Sequence, residues 1–398
     1  MKEKFLRELA DIQTEPFGSQ LHKEDYVADG TPIVTVEHLG NKMFSEQNLP
    51  RVSNTDKNRL KKYVLKQGDI VFSRVGSVDR CSYVDQKHDG WMFSGRCLRV
   101  RPTSEIDSEY LYYYFCLEET KQFVRNISVG ATMPSINTKL LGEVVVTFPE
   151  LEQQKRISGI LSAIDSKIEV NQKINDNLEQ QAVALFKSWF VDFSLFGGTV
   201  PENWEDTTLE NITTLITRGI APKYSDNSDQ TVVNQKCIRN HTIDLSLART
   251  HTPKAINEKW LKFGDLLINS TGDGTLGRVA QVWFAPKALT VDSHVTIVRP
   301  AREELIFYIG LWGILHEKEI ESLHTGSTGQ TELPRDRVKM LKLLLPDNIS
   351  LSRFNSIIAP MASTIILNQE ENQKLASLRD TLLPKLMSGE IDVSSIQL

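Results

Sequence analysis

Apolar residues recur every three or four positions along two segments of roughly 40 residues, which predicts two long amphipathic helices. The first is predicted over 151–193, because Pro149 followed by Glu150 favours a helix start and Gly197 lies beyond the end. The second covers the corresponding C-terminal segment, where Pro360 predicts a kink or a later start. The residues predicted to face a partner helix are Ile157, Ile160, Ile164, Ile168, Asn171, Leu178 and Leu185 in the first helix, and Phe354, Ile357, Met361, Ile365, Asn368, Leu375 and Leu382 in the second.

A long helix with one apolar stripe needs a surface on which to bury it. The simplest partner for each helix is the other, which predicts an antiparallel coiled coil; packing of each helix on its own neighbouring domain is the alternative. Asn171 and Asn368 occupy equivalent places in the two stripes. A buried asparagine in such a seam commonly fixes the register of the helices, but an exposed asparagine is equally compatible with the sequence.

Outside these helices the pattern changes to short runs of Val, Ile, Phe and Thr separated by Gly and Pro, which is typical of strands. One shorter helix is expected around 108–123, with a counterpart around 303–319. The predicted fold class is therefore α+β, with two mixed α/β domains that alternate with the two long helices. The predicted boundaries are 1–148 for the first mixed domain, 149–196 for the first long helix, 197–345 for the second mixed domain, and 346–398 for the second long helix and tail.

The two halves of the chain resemble each other at a nearly constant offset. Residues 66–71 (Lys-Gln-Gly-Asp-Ile-Val) correspond to residues 262–267 (Lys-Phe-Gly-Asp-Leu-Leu). Further along, Asn171-Gln172 corresponds to Asn368-Gln369 at almost the same offset. The spacing is far too long for a solenoid repeat, so it indicates a tandem duplication of domain and helix with a pseudo-two-fold relation. Because the identities are sparse, the copies are expected to share a fold more than a surface.

The composition is that of an ordinary globular chain: of 398 residues, 40% are hydrophobic and 24% are charged, which suggests two to three domains. The sequence has no run of about 18 apolar residues and no signal-peptide pattern at its start. The four cysteines are scattered without a C-x-x-C pair, which argues against a zinc cluster and for reduced thiols. These features together predict a cytoplasmic protein without a membrane span.

The net charge of −5 does not suit a protein that simply coats nucleic acid, so the distribution of charge matters more than its sum. Residues 51–101 contain 12 Lys and Arg against 5 Asp, and residues 218–299 contain 11 basic against 7 acidic residues. The acidic excess falls in 105–119 and 303–321. Each mixed domain is therefore predicted to have one basic and one acidic face, although charged strands can also be merely solvated.

Several catalytic and cofactor motifs are missing or fail in context. Residues 272–277 fit G-x-G-x-x-G, but residues 278–284 alternate like a strand, so we predict a hairpin turn instead of a dinucleotide site. The sequence has no phosphate-binding G-x-x-x-x-G-K-[ST] loop, no Asn-Pro-Pro-aromatic tetrad of an adenine methyltransferase, and no H-E-x-x-H metal motif. The chain is thus predicted not to be an enzyme and to hold no metal or cofactor of its own.

Several sequence motifs, taken with the duplication, resemble the specificity subunit of type I restriction–modification enzymes over nearly the whole chain. They are residues 12–21 (Ile-Gln-Thr-Glu-Pro-Phe-Gly-Ser-Gln-Leu), the Gly-Asp turns at 68 and 264, residues 151–157 (Leu-Glu-Gln-Gln-Lys-Arg-Ile), and residues 378–391 (Leu-Arg-Asp-Thr-Leu-Leu-Pro-Lys-Leu-Met-Ser-Gly-Glu-Ile).

The resemblance implies a DNA-binding subunit of a phage-defence system, without catalysis in this chain. Each mixed domain would be a target-recognition domain that reads one half of a split site in double-stranded DNA. The two long helices would set the spacing and dock two adenine-methyltransferase subunits, which carry S-adenosylmethionine. Motor-nuclease subunits that use ATP and Mg would complete the complex.

The best candidates for DNA contact lie on predicted loops, because a strand scaffold presents loop side chains outward. Most are basic or amide residues, which suit phosphates and base edges. They are Ser19, Gln20, Lys57, Arg59, Lys61, Lys62, Arg74 and Arg80 in the first domain, and Arg218, Lys223, Tyr224, Lys236, Arg239, Asn240, His241 and Arg278 in the second. Residues 218–224 have the flexible, basic and aromatic character of a groove-reading loop, although Tyr224 can equally pack against its own domain.

The low identity between the two copies predicts two different half-sites and hence an asymmetric target. The competing hypothesis is a non-catalytic coiled-coil scaffold whose end domains bind proteins. The two hypotheses differ in salt dependence, because a DNA reader loses affinity steeply as the salt concentration rises, and a protein adaptor need not.

Overall fold

The computed structural model describes residues 1–14, 23–40, 42–272, 274–326 and 331–394. The chain divides into two compact units, of which the first comprises Met1–Val170 together with Glu371–Leu398 and the second comprises Asn171–Glu370. Each long helix therefore contributes to both units. Within the described residues, no helix is both long and apolar enough to cross a membrane.

In its described residues, the first unit contains nine strands and the shorter helices that connect them. The strands are β1 (Lys2–Phe5), β2 (Ala10–Thr14), β3 (Tyr26–Val34), β4 (Arg51–Val52), β5 (Ile70–Ser73), β6 (Cys81–Tyr83), β7 (Met92–Phe93), β8 (Cys97–Pro102) and β9 (Val145–Phe148). The helices are α1 (Leu6–Leu9), α2 (Asn54–Arg59), α3 (Ser108–Cys116), α4 (Glu118–Ile127), α5 (Thr138–Gly142) and the beginning of α6 (Leu151–Phe190).

A four-stranded antiparallel sheet in the order β2-β8-β5-β6 lies between two hydrophobic cores of the first unit. Strand β5 is buried along its whole length, since its alternate side chains enter different cores. Phe72 packs edge-to-face on Phe115 of α3 at a ring distance of 4.7 Å, whereas Val71 packs with the residues around Ile33 and Met92. The second core includes a three-stranded sheet in the order β4-β3-β7.

The part of the second unit that the structure describes contains eleven strands and the remaining helices. The strands are β10 (Glu205–Thr208), β11 (Thr213–Arg218), β12 (Thr231–Val233), β13 (Ile238–Arg239), β14 (Thr242–Ile243), β15 (Arg249–Thr250), β16 (Leu266–Asn269), β17 (Val279–Gln281), β18 (Leu289–Val291), β19 (Val295–Pro300) and β20 (Lys342–Leu345). The helices are the end of α6, α7 (Ile306–Leu315), α8 (Glu317–Ser322), α9 (Arg335–Lys339) and the beginning of α10 (Asn348–Ser388).

The sheets of the second unit have the strand orders β11-β19-β16-β17 and β15-β12-β18. These orders match those of the first unit strand for strand, including one parallel pair in each three-stranded sheet (β3 with β7, β12 with β18). Leu267 of β16 faces one core and its neighbours Leu266 and Ile268 face another, as the residues of β5 do. The mixed α/β character predicted from the sequence is confirmed.

Strands β16 and β17 form an antiparallel hairpin in which Leu266 pairs with Gln281, so the hairpin prediction for residues 272–277 is confirmed. Residue 273 lies outside the described residues. The predicted helix over 108–123 is instead two helices, α3 and α4. The chain leaves the helical region at Leu117, where ψ is 133°, and this break ends the buried, tyrosine-rich α3 before the more exposed α4 begins.

Helix α10 runs without interruption from Asn348 to Ser388, so the late start considered for this segment is wrong. Asp347 caps its N-terminus by accepting hydrogen bonds from the backbone N–H groups of Ile349 and Ser350 and from Nε1 of Trp204. Although desolvation opposes the shift, these hydrogen bonds lower the pKa of Asp347 to about 2. Pro360 lies on the exposed side of the helix, where the missing N–H is least costly.

Candidate nucleic-acid interface

The same buried ion pair supports the hairpin of the four-stranded sheet in each unit. Asp69 follows the Gly-Asp turn of the first unit and accepts from Nε and Nη2 of Arg101, both at 2.6 Å. In the second unit Asp265 accepts from Nε and Nη2 of Arg299 at 2.8 and 2.7 Å. Both carboxylates are buried. Arg101 and Arg299 belong to the two basic stretches of the sequence. Each is paired with a carboxylate of its own unit, so both arginines stabilise the sheet.

Two candidate arginines of the first unit lie on the β5–β6 hairpin. Arg74 is half-buried, and its Nη1 donates to the carbonyl oxygen of Gly95 at 3.3 Å. Burial removes water from around the Arg74 guanidinium, and this desolvation lowers its pKa from the ordinary value. Arg80 lies against Gly40 and donates to the carbonyl oxygen of Leu39. Both arginines thus hold neighbouring backbone in place, with only part of each side chain facing solvent.

The other described candidates of the first unit lie on α2 and on the turn that follows it. Ser53 caps α2 by accepting from the backbone N–H of Asp56 at 3.1 Å, and Asp56 also pairs with Arg59 at 2.9 Å. Lys61 and Lys62 are exposed on the next turn. The ammonium group of Lys62 lies 4.8 Å from the ring centre of Tyr63, which is buried beneath it. Lys57 is half-buried and lies beside Gly90. The structure therefore brings four basic side chains together on one short segment.

Ser19 and Gln20 lie outside the described residues.

Residues 218–224 of the second unit are joined to neighbouring segments by backbone hydrogen bonds. The N–H of Ile220 donates to Val291 at 2.9 Å, and the carbonyl of Lys223 accepts from Thr252 at 2.8 Å. Gly219 is required here because a Cβ would overlap the carbonyl oxygen of Val291. Arg218 pairs with Glu332 at 2.6 Å and donates to the carbonyl oxygen of Leu333 at 2.9 Å, which makes Arg218 an anchor for that segment.

Asn240 and His241 form the tip of the β13–β14 hairpin, in which Arg239 pairs with Thr242. Both tip residues have positive φ, at 47° and 59°, as a two-residue type I′ turn requires. Nε2 of His241 lies 3.4 Å from Oε2 of Glu317. Although desolvation opposes it, hydrogen bonds from His241 and from the backbone of Val279 lower the pKa of Glu317.

The remaining candidates of the second unit differ in exposure. Lys223 and Lys236 are exposed, Arg239 and Arg278 are half-buried, and Tyr224 is 40% exposed. Arg278 follows the turn between β16 and β17, and its charge lies close enough to Glu317 to lower the pKa of that carboxyl further. The candidates thus fall on three segments of one unit, not on a single loop.

Arg51 and Arg249 lie on the edge strands of the two three-stranded sheets, and their sequence patterns do not mark them as candidates. Arg51 pairs with Pro32 across β4 and β3, and Arg249 pairs with Val232 across β15 and β12. Arg51 donates to the carbonyl oxygen of Gly30 at 3.1 Å. Arg249 lies over the ring of Tyr224, with Cζ 3.6 Å from the ring centre. The stacking of Arg249 on Tyr224 depends on strand pairing, so it becomes visible only in the folded structure.

The two long helices pack on each other within each unit. In the first unit Asn372 donates to the carbonyl oxygen of Ile168 at 3.4 Å, and Arg379 pairs with Asp165 at 2.8 Å. The residue numbers therefore run in opposite directions along the two helices. In the second unit Asn368 donates to Oδ1 of Asn175 at 2.8 Å, and the same antiparallel order holds.

Most residues of the predicted stripes are covered, but one position differs. Ile357 is 38% exposed and Ile358 is fully buried. Because 3.6 residues make a turn, the buried face runs through Phe354, Ile358 and Ala362, and Ile357 lies beside it. Asn171 is buried, which agrees with an asparagine in the seam between the helices and not with an exposed one. The buried residues of the predicted set are Ile157, Ile164, Asn171, Phe354 and Ile365, and the half-buried ones are Ile160, Ile168, Leu178, Leu185, Met361, Asn368, Leu375 and Leu382.

Glu179 on α6 is a titratable side chain at this helix surface of the second unit. Burial, together with the like charge of Asp176, raises the pKa of Glu179 from 4.5 to about 7, and His241 opposes the shift. The folded state therefore retains a proton that the unfolded state releases between pH 4.5 and 7. The stability of the second unit is expected to fall as the pH rises through this range.

We expect Glu179→Gln to raise the free energy of unfolding by about 1–3 kcal/mol at pH 8 and to have almost no effect at pH 4.5. Thermal unfolding of the full chain at both pH values measures the difference. Asp176→Asn is the matched control, because it leaves Glu179 in place and should move the transition to lower pH. An equal gain at pH 4.5 and pH 8 would contradict the raised pKa.

Within the described ranges, no group of three His, Cys, Asp or Glu side chains is arranged to hold a metal ion.

Comparison with known proteins relates the chain to a family. Residues 1–180 match the model of the type I restriction modification DNA specificity domain. The MjaIX specificity subunit of a type I restriction enzyme from Methanocaldococcus jannaschii is 28% identical, over 75% of this chain and 72% of that protein. The resemblance to type I restriction–modification specificity subunits that the sequence predicts is confirmed.

Two further comparisons extend over most of this chain. The HindI specificity subunit from Haemophilus influenzae is 23% identical, over 83% of this chain and 88% of that protein. The crystal structure of the S subunit of a type I restriction–modification system from M. genitalium superposes with a TM-score of 0.56 at 16% identity, over 97% of this chain and 95% of that chain. The latter similarity shows a shared fold.

Proposed function

We propose that this chain is the non-catalytic DNA-reading subunit of a type I restriction–modification enzyme. Residues 1–148 and 197–345 are the two target-recognition domains, each reading one half of a split, asymmetric site in double-stranded DNA. The segments 149–196 and 346–398 supply the two helices of an antiparallel coiled coil, which sets the spacing and docks two adenine-methyltransferase subunits. S-adenosylmethionine, ATP and Mg belong to the partner subunits.

The observation that carries this proposal is the repetition of one scaffold with two different surfaces. Both units have the same strand orders and the same aspartate–arginine pair beneath the hairpin. The residues presented by the scaffold differ: they are lysines on α2 and the turn after it in the first unit, and the Tyr224 segment and the β13–β14 hairpin in the second. A tandem duplication followed by divergence of the exposed side chains accounts for this pattern, and two different surfaces suit an asymmetric site.

Most of the described candidates separate into three groups by their contacts and exposure. Arg59, Arg74, Arg80 and Arg218 bond to their own unit, and we assign them a positioning role. The exposed lysines Lys61, Lys62, Lys223 and Lys236 suit the phosphate backbone. Partly exposed side chains on defined turns suit base edges, since a rigid scaffold sets their direction; they are Tyr224, Arg239, Asn240 and His241.

The methylome is the first test of this function. The chain is expressed with the adenine-methyltransferase subunit from its own source in a host without adenine methylation, and modified bases are sequenced. We expect methylated adenines in one split, asymmetric motif, and none when this chain is omitted. An active methyltransferase complex that modifies no defined motif would favour the protein-binding scaffold instead. A palindromic motif would contradict the two different half-sites.

The salt dependence of binding to that motif tests the phosphate contacts. The double variant Lys61→Ala/Lys62→Ala should weaken binding to all sequences equally and reduce the slope of log K against log salt by about 2. The matched control is Lys155→Ala/Lys374→Ala, which removes two exposed lysines from the long helices and should leave the slope unchanged. Equal slopes in both double variants would argue against DNA contact by the α2 segment.

A further inference from the structure

We infer that Arg249, stacked on Tyr224, reads a guanine in the half-site of the second unit. This inference rests on the proposed function and names one of the residues that would determine specificity. It goes beyond the basic surface as a whole, because it assigns a side chain to a base edge.

The first observation is the stack itself. Cζ of Arg249 lies 3.6 Å from the centre of the Tyr224 ring, Tyr224 is 40% exposed, and Arg249 is exposed. A guanidinium that covers a ring with its face keeps its N–H donors at the edges, where they remain available. In the part of the chain that the structure describes, no carboxylate lies within ion-pair distance of Arg249. Those donors are therefore open to a partner.

The second observation is that both side chains stand on fixed backbone. Arg249 belongs to β15, the edge strand of its three-stranded sheet. The Tyr224 segment adds to this edge, because the N–H of Ser225 donates to Thr250 at 3.2 Å and Tyr224 bridges His251 in antiparallel register. The pair is thus held before any ligand binds, which reduces the entropy lost on binding.

The third observation is the equivalent position of the first unit. Val34 and Val233 accept from the N–H groups of Ser94 and Asp292, so Ile33 corresponds to Val232. The N–H of Ile33 donates to Pro50 at 2.8 Å, whereas Val232 pairs with Arg249. The first unit thus has a proline where the second unit presents a guanidinium on an aromatic ring, and the two units differ at an equivalent position, as readers of different half-sites should.

The chemistry of the donors selects the base. The planar guanidinium presents pairs of parallel N–H groups, and guanine presents two acceptors, O6 and N7, at matching spacing in the major groove. Cytosine and adenine place an amino donor on the same edge and repel these N–H groups. An arginine at a phosphate would also be satisfied, but it would not distinguish sequences.

The experiment uses the complex of the full chain with its methyltransferase subunit, and compares methylomes and binding to the wild-type motif. Arg249→Lys retains the charge and loses the fork and the stack. We expect this variant to lose discrimination at one guanine of one half-site by about 5- to 150-fold, with an unchanged salt slope. Tyr224→Leu should produce the same relaxation, and Tyr224→Phe, which keeps the ring, should retain the specificity.

The control is Arg335→Lys, an exposed arginine on α9 of the same unit, which should retain the wild-type motif. Equal loss of affinity for every sequence in Arg249→Ala, with a reduced salt slope and an unchanged motif, would reassign Arg249 to a phosphate and overturn the inference. An unchanged motif and affinity in Arg249→Lys would also overturn it. If the wild-type complex methylates no defined motif, the proposed function fails together with this inference. If the wild-type complex methylates a defined motif and the Arg249→Lys complex methylates the same motif, the inference fails and the proposed function stands.

Discussion

Replacing Asp265 by alanine should lower the free energy of unfolding of the second unit by about 3–5 kcal/mol. Asp265 is fully buried, and only 11% of the Arg299 side chain is exposed. The substitution leaves the guanidinium without its carboxylate in a site that water cannot easily reach. It also removes the acceptor of the Lys262 N–H at 2.8 Å, which closes the Gly-Asp turn. Both losses act on the strand that forms the centre of the sheet.

Urea unfolding followed by tryptophan fluorescence measures this effect, because five of the six tryptophans (all except Trp91) lie in the second unit. The duplicated pair of the first unit is the matched comparison, followed by circular dichroism. Arg101 is 29% exposed, so water can solvate it after Asp69→Ala, and the loss there should be smaller. Asp56→Ala removes a partly exposed ion pair with Arg59 and the acceptor of the Ser53 hydroxyl, and should cost about 1 kcal/mol. Equal losses at Asp265 and Asp56 would contradict the account of a buried pair.

Replacing Phe354 by alanine should cost about 3–5 kcal/mol, because the ring is fully buried in an aromatic cluster between α6 and α10 of the second unit. Its ring centre lies 4.8 Å from that of Phe190 and 5.6 Å from that of Trp189. The alanine leaves a cavity that these large rings cannot fill by small shifts. A fall in the denaturation midpoint and a red shift of the tryptophan emission are the expected results.

Ile357→Ala is the control on the same helix, since Ile357 lies one position from the buried face and is 38% exposed. We expect it to cost less than about 1 kcal/mol. If Phe354→Ala and Ile357→Ala lower the free energy of unfolding by similar amounts, both positions are buried and the assignment of the buried helix face is wrong. This comparison separates burial from a general effect of shortening an apolar side chain in α10.

Local sequence patterns predicted the features that depend on neighbouring residues. The strand after residues 272–277 excluded a dinucleotide site, since that site needs a helix at this point. The 3.6-residue periodicity placed both long helices, and the nearly constant offset predicted two halves with a similar fold, which agrees with the matching strand orders of the two units. The family resemblance followed from the same local motifs.

The interface residues could be ranked only by type and by position on loops, and this criterion was too coarse. Arg218 was expected to reach DNA, but it is bound to Glu332, more than 100 residues away in the chain. Arg249 was not singled out, because its stacking on Tyr224 depends on two strands that meet only after folding. Likewise, hydrophobic periodicity cannot decide whether Ile357 or Ile358 is buried, because the two residues are adjacent on the helix.

The sequence by itself determined the mixed α/β class, the two long helices and the family resemblance, because each depends on periodicity or on motifs that are local in the chain. The tertiary structure alone decided which charged side chains support the scaffold and which remain available to a partner. The physical reason is that a charge becomes internal only when a counter-charge from a distant segment covers it, as Asp265 covers Arg299. The amino-acid composition counts all arginines alike, whereas packing distinguishes those that support the scaffold from those that a partner can reach.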